Sequence, residues 1–246
     1  GNRSFQGIYD VTGFVTGDGV YTVANAPVPP SSNTVDWGAV WNLVTVYELP
    51  GASQRLVQFY TGNGGGSHLF CGGSLSDPDK VITASGFLTP AAGPVDGQLS
   101  FFALDASDSP VHPDSIYIGA KLAANRLFNS QNPVGNVFNS SFSLTNGDPI
   151  VRNPSVYGTT QENADIDTFD LTPFLGNSQS SVTATMDCQS NDGTLLAGMV
   201  FSFAFQAPIL EVAKSSTDVN GGALLPGEEV EFTLVATHAL GSDEDA

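Results

Sequence analysis

The sequence predicts an all-β protein. Residues 1–207 are expected to form a β-sandwich, jelly-roll-like main domain, and residues 208–246 the opening strands of an immunoglobulin-like module. Three observations carry this. Apolar residues alternate with polar ones or form short solid runs, the pattern of half-buried and fully buried strands. The runs are cut by 27 Gly and 15 Pro and by Asn and Asp. Helical periodicity is nearly absent.

Taken in order, Gly19–Ala24 (GVYTVA) reads as a strand after the Gly17-Asp18-Gly19 turn. Ala39–Tyr47 (AVWNLVTVY) is the strongest strand signal, ended by Pro50-Gly51, and Arg55–Tyr60 follows closely enough to pair with it as a hairpin. Lys80–Ala84, Gln98–Leu104 and Ser115–Gly119 continue the series. Ser181–Met186 and the solid run Leu195–Phe205 close the first domain. Only Val11–Val15 and Asp170–Leu175 suit short helical turns. A boundary falls near Pro208, beyond which Leu210–Lys214 and Glu228–Thr237 alternate cleanly around Gly221-Gly222 and Pro226-Gly227. Two or three strands are too few to fold alone, so the second module is expected to be incomplete.

Hydrophobic residues make up 41% of the 246, enough for a core. Charged residues make up 13%, about half the roughly 25% of an average globular protein. The charge is one-sided: 25 Asp and Glu against 7 Lys and Arg, net −18. Nucleic acid and acidic membranes are therefore excluded as partners by repulsion. No run approaches 18 apolar residues, so no membrane-inserting span is expected, and no basic-then-apolar start marks a signal peptide. Cys71 and Cys188 are the two cysteines. An even count in an extracellular chain favours a Cys71–Cys188 disulfide, and two buried thiols are the alternative.

Several stretches resemble a family. Glu211–Lys214 followed by Leu225–Thr237 (LPGEEVEFTLVAT) is similar to the start of the conserved-repeat, immunoglobulin-like modules of large bacterial surface proteins, with His238 where Asn is usual. Tyr9–Thr12, Gly19–Asn25, Trp41–Glu48, Phe87–Pro90, Asn136–Ser141 and Ala164–Asp170 resemble the β-rich domain that precedes such repeats. The resemblance covers nearly the whole chain. It implies a secreted, bacterial cell-surface, non-catalytic protein, and no catalytic residue carries over. Members have a longer β-rich stretch before the Tyr9-like motif, so this chain is expected to start inside one domain and stop inside the next.

The chemistry-bearing motifs are few. His68–Leu75 with Val81–Ala84 resembles the stretch around the catalytic histidine of trypsin-like proteases, but Gly86 stands where that histidine belongs and no Gly-Asp-Ser-Gly-Gly motif occurs. Two acidic clusters are candidate Ca²⁺ sites, because Ca²⁺ takes several oxygens from alternating loop residues. One is Asp165, Asp167 and Asp170, whose spacing turns the first two carboxylates to one side of an extended segment. The other is Asp105, Asp108 and Asp114. Turn capping and solvation explain either equally. Nothing nearby marks a sugar cleft that would make these carboxylates a glycosidase pair. Trp37, Trp41, Tyr47, Phe59 and Tyr60 suit a glycan-stacking platform or, preferably, the core. Asn139-Ser140-Ser141 and Asn2-Arg3-Ser4 fit the N-glycosylation pattern, and Gly62–Ser67 lacks the lysine of a phosphate loop.

The expected function is that of an extracellular structural or adhesive protein, a filament subunit completed by strands of other copies or of other surface proteins. A Ca²⁺-dependent, glycan-binding, lectin-like module is the alternative.

Overall fold

The computed structural model describes residues 6–25, 41–61, 69–72, 78–104, 114–149, 164–187, 193–204, 210–223 and 225–238. Its strands are β1 (Arg55–Tyr60), β2 (Leu69–Gly72), β3 (Lys80–Ser85), β4 (Gly97–Leu104), β5 (Ser115–Ile118), β6 (Phe142–Ser143), β7 (Ala164–Asp170), β8 (Ser181–Asp187), β9 (Gly193–Ala204), β10 (Leu210–Asp218) and β11 (Val230–His238). They form three sheets. The largest runs β1-β9-β4-β7-β6, with β2 also on β9; the second runs β3-β8-β5; the third is the β10-β11 pair. All pairings are antiparallel except β6 with β7.

The all-β sandwich expected from sequence is what forms. In β4 the alternation GQLSFFAL puts Gly97, Leu99, Phe101 and Ala103 inward, and partly exposed residues between them. The 12-residue strand β9 has β1 and β2 on one edge and β4 on the other, which accounts for its solid apolar run. The two inner faces meet in one core. Leu99, Phe101, Phe169, Leu196, Phe201 and Phe203 from the large sheet pack with Ala84, Ile116, Ile118, Val182, Ala184 and Met186 from the second. Phe87 stacks on Phe203 at 4.1 Å, and Phe138 meets Phe101 edge-on at 5.1 Å.

The β4–β9 register slips by one residue, from Phe102↔Gly198 to Ala103↔Leu196, leaving Ala197 as a bulge. Gly198 is required beside it, since a Cβ there would lie 2.9 Å from the Phe59 ring.

Two expected strands do not form. Gly19–Ala24 and Trp41–Tyr47 have no ladder partner, and Val20, Val46 and Tyr47 are exposed; Ala39 and Val40 lie outside the described residues. Composition favours a strand, but the ladder partner is set by tertiary context. The expected hairpin partner, β1, pairs instead with β9 from Arg55↔Ala204 to Tyr60↔Met199. Arg55 fixes that choice by donating to Ser202 Oγ (2.7 Å) and bridging to Asp96 (2.6 Å). The short turns are observed: Val15 N–H reaches Val11 O (3.2 Å), and Thr172–Phe174 is a 3₁₀ turn. The β10-β11 pair is a separate sheet, and Pro208 lies outside the described residues.

Phe201→Ala is expected to cost about 3–5 kcal/mol, because the ring is fully buried. Val81→Thr, on the exposed side of β3, should stay within about 0.5 kcal/mol. Urea denaturation of both variants measures the difference.

Candidate functional site: a buried carboxylate pair

Strand β7 reads ADIDTFD, and its alternation turns Asp165, Asp167 and Phe169 to the core face. Asp165 pairs with Ala103 and Asp167 with Phe101 across β4, so two carboxylates stand among core residues with no solvent exposure. Asp170 does not join them. It is exposed at the end of the strand, where Oδ1 accepts the N–H of Thr172 (2.8 Å) at the start of the 3₁₀ turn.

Buried carboxylates need donors, and the segment from Asn129 to Ser143 supplies them. Asp165 accepts three successive backbone N–H groups, from Asn139 (3.3 Å), Ser140 (3.1 Å) and Ser141 (2.8 Å). Ser140 adopts φ 63°, the left-handed conformation that aims consecutive N–H groups at one anion. Asp167 Oδ1 accepts the Ser143 hydroxyl (2.6 Å). Ser143 Oγ in turn accepts Asn132 Nδ2 (3.0 Å), and Asn132 Oδ1 accepts the Ser141 hydroxyl (3.1 Å). Asn129 shapes the turn beneath, its Oδ1 accepting the N–H groups of Gln131 (3.0 Å) and Asn132 (2.8 Å). Asp114, also buried, holds the preceding stretch, with Oδ1 accepting the N–H groups of Val137 (2.5 Å) and Phe138 (2.8 Å).

Burial pushes Asp165 up to about 8, and the charge of Asp167 adds to it, against the pull of the three N–H groups. Burial pushes Asp167 up to about 6, countered by Ser143 and Asn132. Asp167 Oδ2 and Asn139 Oδ1 are buried without hydrogen-bond partners. The site is rich in donors yet keeps these acceptor oxygens unfilled; Ca²⁺ takes six to eight oxygens. Among the described residues, no group of three or more His, Cys, Asp or Glu side chains is placed to hold a metal ion. Asp105 and Asp108, the rest of the second cluster, lie outside the described residues.

The remaining sequence candidates scatter. Cys71 is buried and is not a free thiol, while Cys188 lies outside the described residues. The protease-like stretches fall on different sheets, β2 on β9 and β3 on β8, and Gly86 sits at φ 81°. Of the aromatic set, Tyr60 packs edge-on to Phe201 at 5.7 Å. Trp41 and Tyr47 are exposed, contrary to the expected core placement, because their segment forms no strand. Trp37, His68, His112, Asn2–Ser4 and Gly62–Ser67 lie outside the described residues. The Asn139 amide donates to Gln131 O (2.7 Å) and so is engaged within the fold rather than presented for glycosylation. A shallow cleft of about 370 Å³ opens beside the 3₁₀ turn, lined by Arg126, Phe128, Thr145, Asp170, Pro173 and Phe174.

Sequence reasoning brought Asp165 and Asp167 together but missed Asn129, Asn132 and Ser143. The signal was Asn129-x-x-Asn132-Pro133, a turn in which a side-chain amide replaces a backbone bond. No family model, curated protein or solved structure matches the chain.

Ser143→Ala is expected to destabilise the protein by about 1.5–3 kcal/mol, since it removes a hydrogen bond to a carboxylate and strands the Asn132 amide. Asp170→Ala removes only an exposed cap and should cost about 1 kcal/mol or less. Chemical denaturation separates the two.

Proposed function

We propose that this chain is a non-catalytic structural or adhesive module of a secreted bacterial surface protein, assembled through strand complementation. The observation that carries the reading is the β10-β11 sheet. Its nine-residue strands pair from Leu210↔His238 to Asp218↔Val230. One face collects Val212, Phe232, Leu234 and Ala236, and Phe232 and Leu234 are 59% and 68% exposed. Lys214 covers part of it, its Nζ lying 4.3 Å from the Phe232 ring centre. A two-stranded sheet is marginal in water, and its unpaired edges are templates for further strands. Strands from a neighbouring copy, or from another part of the same surface protein, would supply what this sheet lacks.

The composition supports the same reading. Few charges, many hydroxyl and amide side chains and a net charge of −18 suit an extracellular β-protein with no nucleic-acid or membrane partner. A Cys71–Cys188 disulfide belongs to this reading. It would tie β2 to the segment between β8 and β9 and stabilise by at most roughly 4–5 kcal/mol in the chain-entropy model.

The cleft beside the 3₁₀ turn supports a second reading, a glycan-binding module. Phe128 is 61% exposed there, and Arg126 and Asp170 stand beside Phe174 and Pro173, a mixture suited to sugar rings.

The double variant Phe232→Lys, Leu234→Lys is expected to abolish self-assembly while leaving the circular dichroism of the main sandwich unchanged. Sedimentation and electron microscopy of native and variant material measure this. A native protein that is monomeric, with β10-β11 protected from protease, overturns the complementation reading. Thiol titration of denatured, unreduced protein should find no free thiol; two per chain would disprove the disulfide. Binding on a glycan array that is lost in Phe128→Ala would favour the second reading.

A further inference from the structure

Two carboxylates with no solvent exposure, two residues apart on one strand face, cannot both remain ionised without a compensating cation. No such cation reaches them among the described residues. Neither β4 nor β6, which flank β7, carries an ionisable side chain. In the facing sheet, Asp187 of β8 is paired with Lys121 (2.9 Å), and Tyr117 of β5 lies under the Arg126 guanidinium (5.3 Å), which donates to its hydroxyl (2.8 Å). In the covering segment, Asp114 is turned to Val137 and Phe138, and Asp148 accepts from Asn146. Asp167 is within hydrogen-bonding reach of Asp165, yet two ionised carboxylates have no proton to place between them, and Asp167 Oδ2 is left buried without a donor.

We propose that Asp165 and Asp167 share one proton in the folded protein and act as a latch on the segment from Asn129 to Ser143, which loosens when that proton is lost. Asp165 accepts three N–H groups, yet burial and the charge of Asp167 hold its carboxyl the higher of the two. The proton belongs to the pair, and an O–H donated from one carboxyl to the other relieves the repulsion. Loss of the proton puts two like charges together in the core. The relief is to let Asn139–Ser141 swing out and admit water.

The sign of the pH dependence follows. Both carboxyls titrate above their ordinary value of 3.8, near 8 and near 6, so the native state binds more protons than the unfolded chain above about pH 4. Stability from this pair is therefore full below that pH and is lost as pH rises through about 6 and about 8. That is the reverse of a carboxylate held in an ion pair.

The test is urea denaturation of the full chain from pH ~5 to ~9, with Asp167→Asn beside wild type. The expected wild-type midpoint falls with rising pH. Asp167→Asn should lose at least half of that slope and exceed wild type at pH ~8.5. Amide-exchange protection at Asn139–Ser141, corrected for intrinsic rate, should drop above pH ~8 in wild type alone. A flat wild-type profile, or an unchanged slope in Asp167→Asn, overturns the proposal. Infrared spectroscopy of wild type covers the case in which the variant fails to fold. A protonated-carboxyl band should persist at pH ~6 in chelator and in millimolar Ca²⁺ alike. Its absence, or its loss on adding Ca²⁺, assigns the pair to a cation and overturns the shared proton.

Discussion

Burial of Asp165 and Asp167 on the core face of β7 is the constraint around which one side of this sandwich is organised. An apolar pair at those positions would need only to be covered. A carboxylate pair must be covered by donors at hydrogen-bonding distance, which fixes the path of the covering chain atom by atom. The segment from Asn129 to Ser143 has no regular structure apart from the two residues of β6, yet it is held at Asn129, Asn132, Asn139, Ser140, Ser141 and Ser143. The left-handed backbone of Ser140 is part of that cost, offset by the N–H groups it turns to Asp165. Asp114 repeats the device on the adjoining residues. Three buried aspartates thus do for a loop what a ladder does for a strand.

The sandwich beyond this corner is held by apolar burial and aromatic packing. Phe101 is the hinge between the two regimes, stacked with Phe169 at 6.0 Å and edge-on to Phe138 at 5.1 Å while paired in register with Asp167. The polar network thus adjoins the apolar core through Phe101 and Phe138. The surface contributes little by comparison. Among the described residues its ion pairs, Arg55–Asp96 and Lys121 with Asp79 and Asp187, draw on a chain with only seven basic residues.

The β10-β11 hairpin stands under the opposite condition. Its two strands pair with each other along nine residues but each keeps an outer edge without a strand, and its apolar face has Lys214 as its cover. The main sandwich buries both inner faces within itself. The hairpin has one inner face and no second sheet among the described residues, and that difference underlies a reading in which one part of the chain is a finished domain and the other a point of assembly.

The sequence by itself determined the all-β class, eight of the strands within a few residues of their ends and the common orientation of Asp165 and Asp167. All of these are local properties. Period-two alternation, Pro and Gly punctuation and the geometry of an extended strand act within a few residues. Tertiary structure decided the rest. Trp41–Tyr47 has the composition of a strand and forms none, because composition does not supply a ladder partner, and β1, the expected one, pairs with β9. Whether Asp165 and Asp167 meet solvent, a metal or backbone N–H groups depended on a loop more than twenty residues away in sequence. Pattern along β7 shows which way the carboxylates point, but only the folded chain shows what they point at.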